Sequence, residues 1–356
     1  MRFLLFGLLL LALSVHCAPS AEQVFAAGIL PNCQQLVYCE NAALAETPLF
    51  ASLLAEKEGL DQEKIAAKEQ LPTFFKVVGA ITEKMPIGDF SAIKRTQFCA
   101  DWSSAASDPK KAAQKFRYLM VYELKESFTP EQVMALIAEE SKASNSKMDF
   151  VFDSEQEILN IAASAAADRP TCSIAFFNDN KVWMIGAPEV LQQAVNKIRR
   201  EIPPAQLNPV LQAAKAKIPA GRQFYLLFAP NDDIQVALQT HAPDSPVAPT
   251  LEEIVCATLT LQAGEKLALH LGLEFTSAQN ASMGKSMLLD GFFMGMGRMY
   301  LTQQAGADLP MLKTMGTSLE GKYAAVDCEL TGQDIKAIGQ LTKPIFQSLV
   351  ERAAQR

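Results

Sequence analysis

Two stretches of this chain carry the same succession of strand and helix patterns, and this recurrence constrains the fold more than any other feature. A proline-marked start and a buried strand pattern occupy Ile29–Cys39, and the same arrangement returns at Lys217–Leu227. After each of them come a helix, two strands, a second helix, a hairpin and a closing helix. Although the two stretches share little identity, the shared order predicts an α+β fold of two related halves, each a mostly antiparallel sheet backed by helices.

The local patterns agree with this layout. Large apolar residues occupy every second position of Leu267–Phe275, which is typical of a strand with one buried face, so we expect helices on one side of the sheet. Thr129 and Thr276 are each followed three residues later by glutamine, which predicts a capping box at two helix starts. The hairpins should turn at Asn178-Asp179-Asn180 and at Glu320-Gly321.

The boundary between the halves is expected at Ile202-Pro203-Pro204, because a helix cannot continue through this pair of prolines. The first α+β module then spans 22–202 and the second spans 203–356. They are preceded by residues 1–21, in which Arg2 and the apolar run Phe3–Leu13 lead to a small-residue segment. This is the pattern of a secretory signal peptide, so we expect an exported protein that is periplasmic or secreted.

Cys17 offers a second interpretation, a lipoprotein with an acylated N-terminal cysteine. That processing requires a small residue before the cysteine, and His16 stands there instead, so lipid anchoring is disfavoured. We expect no transmembrane segment after the signal peptide. The most apolar stretch, Met283–Tyr300, contains Lys285, Asp290 and Arg298, which are costly in hydrocarbon.

The charge and cysteine content of the chain limit the partners and the covalent links that we expect. The chain of 356 residues has a formal net charge of −7, and its basic residues are scattered rather than gathered into a dense patch. We therefore expect no nucleic-acid partner. Six cysteines follow the signal peptide, and the strand-like runs around them favour unpaired core thiols over disulfides, although an oxidising compartment also permits a bridge. They are Cys33, Cys39, Cys99, Cys172, Cys256 and Cys328.

The sequence lacks a recognisable catalytic motif. Two histidines follow the signal peptide: His241 lies in a predicted loop, and His270 shares a strand face with Glu274 at a separation too large for one metal ion. Both are interpreted as incidental. Paired acids could serve a hydrolase, but their places in helix faces and turns favour simple solvation; they are Glu139-Glu140, Asp153 with Glu155, Asp232-Asp233 and Glu252-Glu253.

One local composition is unusual. Five methionines alternate with glycines between Met283 and Met299. Thioethers can hold Cu(I), and Met283, Met287 and Met294 would be its ligands. The favoured interpretation is packing, in which methionine fills gaps and Gly291 and Gly295 allow a helix to approach its neighbour closely.

The order of these elements resembles that of poorly characterised exported bacterial proteins built from repeated α+β modules and catalogued as domains of unknown function. The resemblance rests on the signal peptide, the strand after Leu30-Pro31, the helix from Leu49 to Glu58, and the strand–helix unit at Phe275–Ala278. It implies export and a non-enzymatic role, and it brings no catalytic, cofactor-binding or metal-ligating residues. The sequence thus predicts a binding or envelope-associated protein, with a carboxylate-dependent hydrolase or a copper-handling protein as the alternatives.

Overall fold

The computed structural model describes residues 19–55, 84–101, 117–143, 148–163, 172–230, 248–305 and 309–338. Within these ranges the strands join into one fully antiparallel sheet. Their bounds, from β1 to β12, are Gln35–Cys39, Ile93–Asp101, Arg117–Leu124, Met148–Asp153, Ile158–Ala163, Cys172–Phe177, Val182–Gly186, Phe224–Phe228, Ile254–Ala263, Leu267–Phe275, Gly316–Glu320 and Tyr323–Leu330.

Helices connect these strands and flank the sheet. Numbered α1 to α10, they span Ala21–Ala27, Asn41–Ala45, Pro48–Ala55, Pro130–Ala143, Pro188–Arg199, Pro209–Ala216, Ala248–Glu252, Ala278–Gly284, Arg298–Ala305 and Met311–Thr314. A π-helix, Lys285–Gly297, joins α8 to α9, and two short 3₁₀ turns, Pro86–Gly88 and Phe90–Ala92, precede β2. A further helix begins at residue 332 and is described to 338. None of the described helices has the length and apolar character needed to cross a membrane.

The strand order is β11-β12-β10-β9-β8-β1-β2-β3-β7-β6-β5-β4. The first seven strands, β1 to β7, therefore form one half of the sheet, called the first side. The last five, β8 to β12, form the other half, called the second side. The two sides meet where β1 pairs antiparallel with β8, with Val37 opposite Leu226 at the centre. Outward from this junction, β1 is followed by β2, β3 and the β6–β7 hairpin, and β8 is followed by β9, β10 and the β11–β12 hairpin. On the first side β4 and β5 extend the edge.

Helices cover both faces of the sheet, so the expectation that they cover only one face is wrong. Met184 of β7 belongs to a core with α1, α5 and α6, whereas its neighbour Trp183 packs in a core with α4 on the opposite face. The alternation seen in β10 does not extend to β6 and β7, whose residues are nearly all buried. Such continuous apolar runs are typical of strands that are covered on both faces.

The predicted local signals fix several of these elements. The Thr129 backbone N–H donates to Gln132 Oε1 at 2.8 Å and the Gln132 N–H donates to Thr129 Oγ1 at 3.4 Å, which confirms the capping box of α4. The second box is wrong by one residue. Ser277, not Thr276, is the N-cap of α8, and its hydroxyl accepts from the Asn280 N–H at 3.1 Å. The Thr276 hydroxyl instead donates to the Glu253 carboxylate.

The methionine-rich stretch also departs from expectation. It forms a π-helix, a rare conformation that is frequent at functional sites. A Cβ atom on Gly291 or Gly295 would meet only carbonyl oxygens of this same helix, so neither glycine provides a close approach to another described element. Gly284 has that role, because a Cβ there would lie 2.1 Å from the Phe275 ring.

Candidate functional site

A cavity of about 640 Å³ opens on the second side of the sheet. Its floor is formed by Thr258 and Thr260 of β9 with His270 and Glu274 of β10, and its walls by the end of α6, the loop before β8 and the β11–β12 turn. On the first side of the sheet, α5 packs over β3, β6 and β7. On the second side, the polar face of β10 and β12 is partly open, and the cavity lies there.

A chain of three polar side chains lies along this face. Asp327 is directly opposite His270 in the β10–β12 register, and the Asp327 Oδ1 atom is 2.7 Å from His270 Nδ1. The other ring nitrogen, Nε2, is 2.7 Å from the Tyr323 hydroxyl. The His270 and Tyr323 rings are stacked, with centroids 6.1 Å apart. Because a carboxylate only accepts hydrogen bonds, Nδ1 carries a proton; in the neutral ring, Nε2 then accepts the phenol proton.

Gly272 leaves the space that the Tyr323 ring needs to reach His270. Tyr323 is paired with Glu274 in the register, and its ring reaches back over Gly272 to His270. A Cβ atom at position 272 would lie 1.6 Å from the Tyr323 hydroxyl oxygen. The glycine is therefore required by the close approach of the ring, a common reason for glycine within a strand.

Tyr323 is held as a hydrogen-bond donor. Burial, followed by the charges of Asp327, Cys256 and Glu274, raises the pKa of the Tyr323 phenol to about 12. The phenol therefore keeps its proton at neutral pH, and its oxygen retains a lone pair that can accept from a ligand. The Asp327–His270–Tyr323 chain gives the cavity an ordered polar wall.

Two groups at the cavity lack partners among the described residues. The Nε and Nη1 atoms of Arg222 are shielded from solvent and make no hydrogen bond, and the same is true of the Thr260 hydroxyl. Thr260 is only 1% exposed. Buried donors without partners are destabilising, and a charged group more than a neutral one. Such groups beside a cavity are expected where a bound molecule supplies the partner.

The charges around the cavity are unevenly paired. Lys217 Nζ lies 2.9 Å from Glu274 Oε2, so these two largely neutralise each other. Glu320, in the exposed β11–β12 turn, stands at the edge, and Arg222 forms no ion pair with it. Arg222 follows Gly221, whose φ of +84° is a turn conformation that favours glycine. The turn brings Arg222 to the cavity just before β8 begins.

The sequence predicts only some features of the residues that line this cavity. His270 is half-buried as expected; both of its nitrogens have partners, and it lines the cavity. Gly272 is the sequence signal for this arrangement, because a glycine within a strand often marks the close approach of another group. It lies on the same strand face as His270 and Glu274. Nothing in the sequence distinguishes Arg222 from the other arginines. His241 lies outside the described residues.

The paired acids among the described residues do not line this cavity. Glu139 and Glu140 both contact Lys84, and the Asp153 carboxylate accepts backbone N–H groups in a turn that contains Glu155. Glu253 accepts from Thr276 and Asn280. Asp232-Asp233 lies outside the described residues. In the parts of the chain that the structure describes, no three histidine, cysteine or acidic side chains are grouped to hold a metal ion.

The methionines lie elsewhere as well. Met283 lies in α8 and Met287 in the π-helix, both are partly exposed, and the Thr250 hydroxyl lies 3.6 Å from the Met287 sulfur. Copper binding by these thioethers stays a prediction. No protein-family model, curated protein or solved structure matches this chain. The cavity is therefore interpreted from its own geometry.

Proposed function

We propose that this protein is an exported binding protein that holds a small organic anion in the cavity beside Arg222. The observation that carries the proposal is a pair of buried guanidinium donors in the wall of that cavity, for which the described part of the chain offers no partner. A guanidinium is a rigid fork that matches a carboxylate or phosphate, and such charge-assisted bonds are the strong ones. Binding would require the Arg222 side chain to turn so that both donors face the ligand.

The remaining lining suits the same ligand class. The Thr260 hydroxyl and the Tyr323 oxygen provide neutral hydrogen-bonding groups, while Ala214, Ile218 and Pro219 give an apolar wall. A molecule with one acidic group and a short apolar or hydroxylated body would satisfy both kinds of surface. Export is supported by the pattern of residues 1–21, which places the protein where it would meet such a solute.

Binding is favoured over the hydrolase alternative by the state of the carboxylates. Of the two that line the cavity, Glu274 is tied to Lys217 and Glu320 lies in an exposed turn. Hydrolysis of a glycoside would need two acids facing one bond across the cavity. The groups with unmet bonding capacity here are donors, which hold an anion.

The two-halves architecture belongs to the same proposal. We infer that residues 22–202 and 203–356 derive from one ancestral module, with β1-β2-β3 equivalent to β8-β9-β10 and the β6–β7 hairpin equivalent to β11–β12. The strand order is what side-by-side joining of two such modules would produce. In this view, α5 occupies a space on the first side of the sheet, and the equivalent space on the second side forms the ligand cavity.

The experiment is isothermal titration with acetate, succinate and phosphate, and with glucose as the neutral comparison. We expect at least one anion to bind and glucose not to bind. Arg222→Met should weaken that affinity by roughly tenfold to a hundredfold, because a hydrogen bond to a charged group contributes about 1.5–3 kcal/mol.

Arg200→Met is the matched control, since Arg200 is exposed at the end of α5 and its replacement makes the same change in net charge. Its affinity should equal that of the unaltered protein. Equal affinities of the Arg222→Met variant and the unaltered protein for every anion that binds would contradict the proposal, and so would the absence of binding by all three anions.

A further inference from the structure

Two cysteines far apart in sequence lie side by side in the core. Cys33, just before β1, and Cys99 of β2 are both fully buried. The backbone of Leu30 contacts both residues, because its carbonyl oxygen accepts from the Cys33 N–H at 3.2 Å and its own N–H donates to the Cys99 sulfur. The arrangement is fixed by the antiparallel pairing of β1 with β2, in which Leu36 is opposite Cys99, and by a further bond from the Gln34 N–H to the Ala100 carbonyl.

Neighbouring backbone groups hold each sulfur in place. The Leu30 N–H donates to Cys99 Sγ at 3.3 Å, and the Cys33 thiol lies 3.2 Å from the Gln35 carbonyl oxygen. Both cysteines belong to the core that α1 and α5 cover. The two thiols are therefore ordered within one buried cluster, and a disulfide between them would require their Cα atoms to come within about 7 Å of each other.

We propose that Cys33 and Cys99 form a disulfide bond when the chain folds in an oxidising compartment. The oxidant is a small-molecule disulfide such as oxidised glutathione. One cysteine thiolate attacks the glutathione disulfide, forms a mixed disulfide and releases one glutathione thiol. The second cysteine thiolate then attacks the protein-bound sulfur and releases the second glutathione, so the protein loses two electrons and two protons while the oxidant gains them.

The bond should form during folding rather than after it. Burial and the neighbouring Cys33 thiol raise the pKa of Cys99 well above its ordinary range, which suppresses the reactive thiolate in the folded protein. Oxidised glutathione also cannot reach side chains that are fully buried. Once formed, the disulfide is shielded from reductants by the same packing.

The experiment is refolding of the reduced, unfolded protein with and without a mixture of reduced and oxidised glutathione, followed by thiol titration and peptide mapping. We expect the oxidised sample to contain two fewer thiols and one linked pair of peptides containing Cys33 and Cys99. We also expect the thermal midpoint to rise by roughly 5 °C, since the bond closes a loop of about 65 residues.

Two variants sharpen the result. Cys99→Ser should abolish the loss of thiols, whereas Cys172→Ser should leave it intact, because Cys172 lies in β6, the third strand from β2 in the sheet. Peptide mapping of the unaltered chain decides the question even when a variant folds poorly. Retention of all thiols, or linkage of a different pair, would overturn the proposal. The thiol count and the peptide map do not depend on ligand binding beside Arg222, so their failure would leave the proposed binding site standing.

Discussion

Replacement of Arg222 should make the ligand-free protein more stable, which is the opposite of the usual effect of removing a buried hydrogen-bonding residue. Arg222 leaves two shielded donors without partners. Each unmet buried donor costs about 1–3 kcal/mol, and some of that cost is relieved where the side chain can turn toward water in the cavity. Methionine keeps the apolar length of the side chain and removes both donors. We therefore expect Arg222→Met to raise the free energy of unfolding by about 1–3 kcal/mol.

Arg95 provides the comparison, because it is a half-buried arginine whose donors are used. It lies 2.7 Å from Glu22 and 2.5 Å from Glu123, and its guanidinium carbon lies 4.4 Å from the centre of the Phe25 ring. Arg95→Met removes these contacts and leaves the largely buried Glu123 carboxylate without this partner. We expect it to lower the free energy of unfolding by about 2–4 kcal/mol.

The assay is urea unfolding followed by far-ultraviolet circular dichroism and by tryptophan fluorescence. Trp183 is fully buried, with ring centroids of Phe176 and Phe128 at 5.3 Å and 5.9 Å, so its emission should report on the first side of the sheet. Coincident transitions by the two probes would justify one free energy of unfolding for the whole chain. A loss of stability in Arg222→Met as large as that in Arg95→Met would refute the reasoning, because it would mean that the donors of Arg222 are paired.

Three further changes test the structure around the site and elsewhere. Gly272→Ala should displace the Tyr323 ring and lower stability by about 1–3 kcal/mol, and adding Tyr323→Ala should remove the clash, as measured by urea unfolding. Thr129→Ala should cost about 0.5–2 kcal/mol through loss of the α4 N-cap, again by urea unfolding. Lys285 and Thr317 lower the pKa of the Asp290 carboxyl below 3.8, so its contribution to stability is present above that pH and is lost as the pH falls through the lowered value. Asp290→Asn should therefore flatten the acid limb of a stability–pH curve without changing its alkaline limb.

Much of the local structure could be predicted from the sequence, because short-range rules govern it. The hairpin that turns at Asn178–Asn180 occurs as predicted, and the helix expected after it is present at Pro188–Arg199. The turn residues have positive φ angles, which asparagine and aspartate adopt at small cost. Likewise, Thr129 satisfies the N-terminal groups of α4 through contacts only three residues away.

Long-range arrangement was not predictable in the same way. The pairing of β1 with β8 brings Val37 against Leu226, and no local pattern selects that partner over another strand edge. The burial of both faces of β6 and β7 depends on helices that arrive from distant parts of the chain. The π-helix at Lys285–Gly297 has the composition of an ordinary glycine-rich helix, so its hydrogen-bond pattern is not visible in the sequence.

The candidate site shows the same division. Alternation correctly places His270 and Glu274 on one polar strand face, but the partners of His270 come from β12, through a register that tertiary folding sets. Arg222 reaches the cavity through a turn at Gly221, and its importance comes from the bonds that its side chain does not make. An unmet bond has no sequence signature, because it depends on every group that surrounds the side chain.

The most direct test of the proposed binding site is a crystal structure of residues 22–356 with the anion that titrates most tightly. Our account predicts a carboxylate or phosphate oxygen about 2.7–2.9 Å from the guanidinium nitrogens of Arg222. It also predicts that the Thr260 hydroxyl gains a partner from the same ligand or from a water bound to it. An anion bound elsewhere, with Arg222 paired to Glu320 or Glu274 of the protein itself, would contradict it.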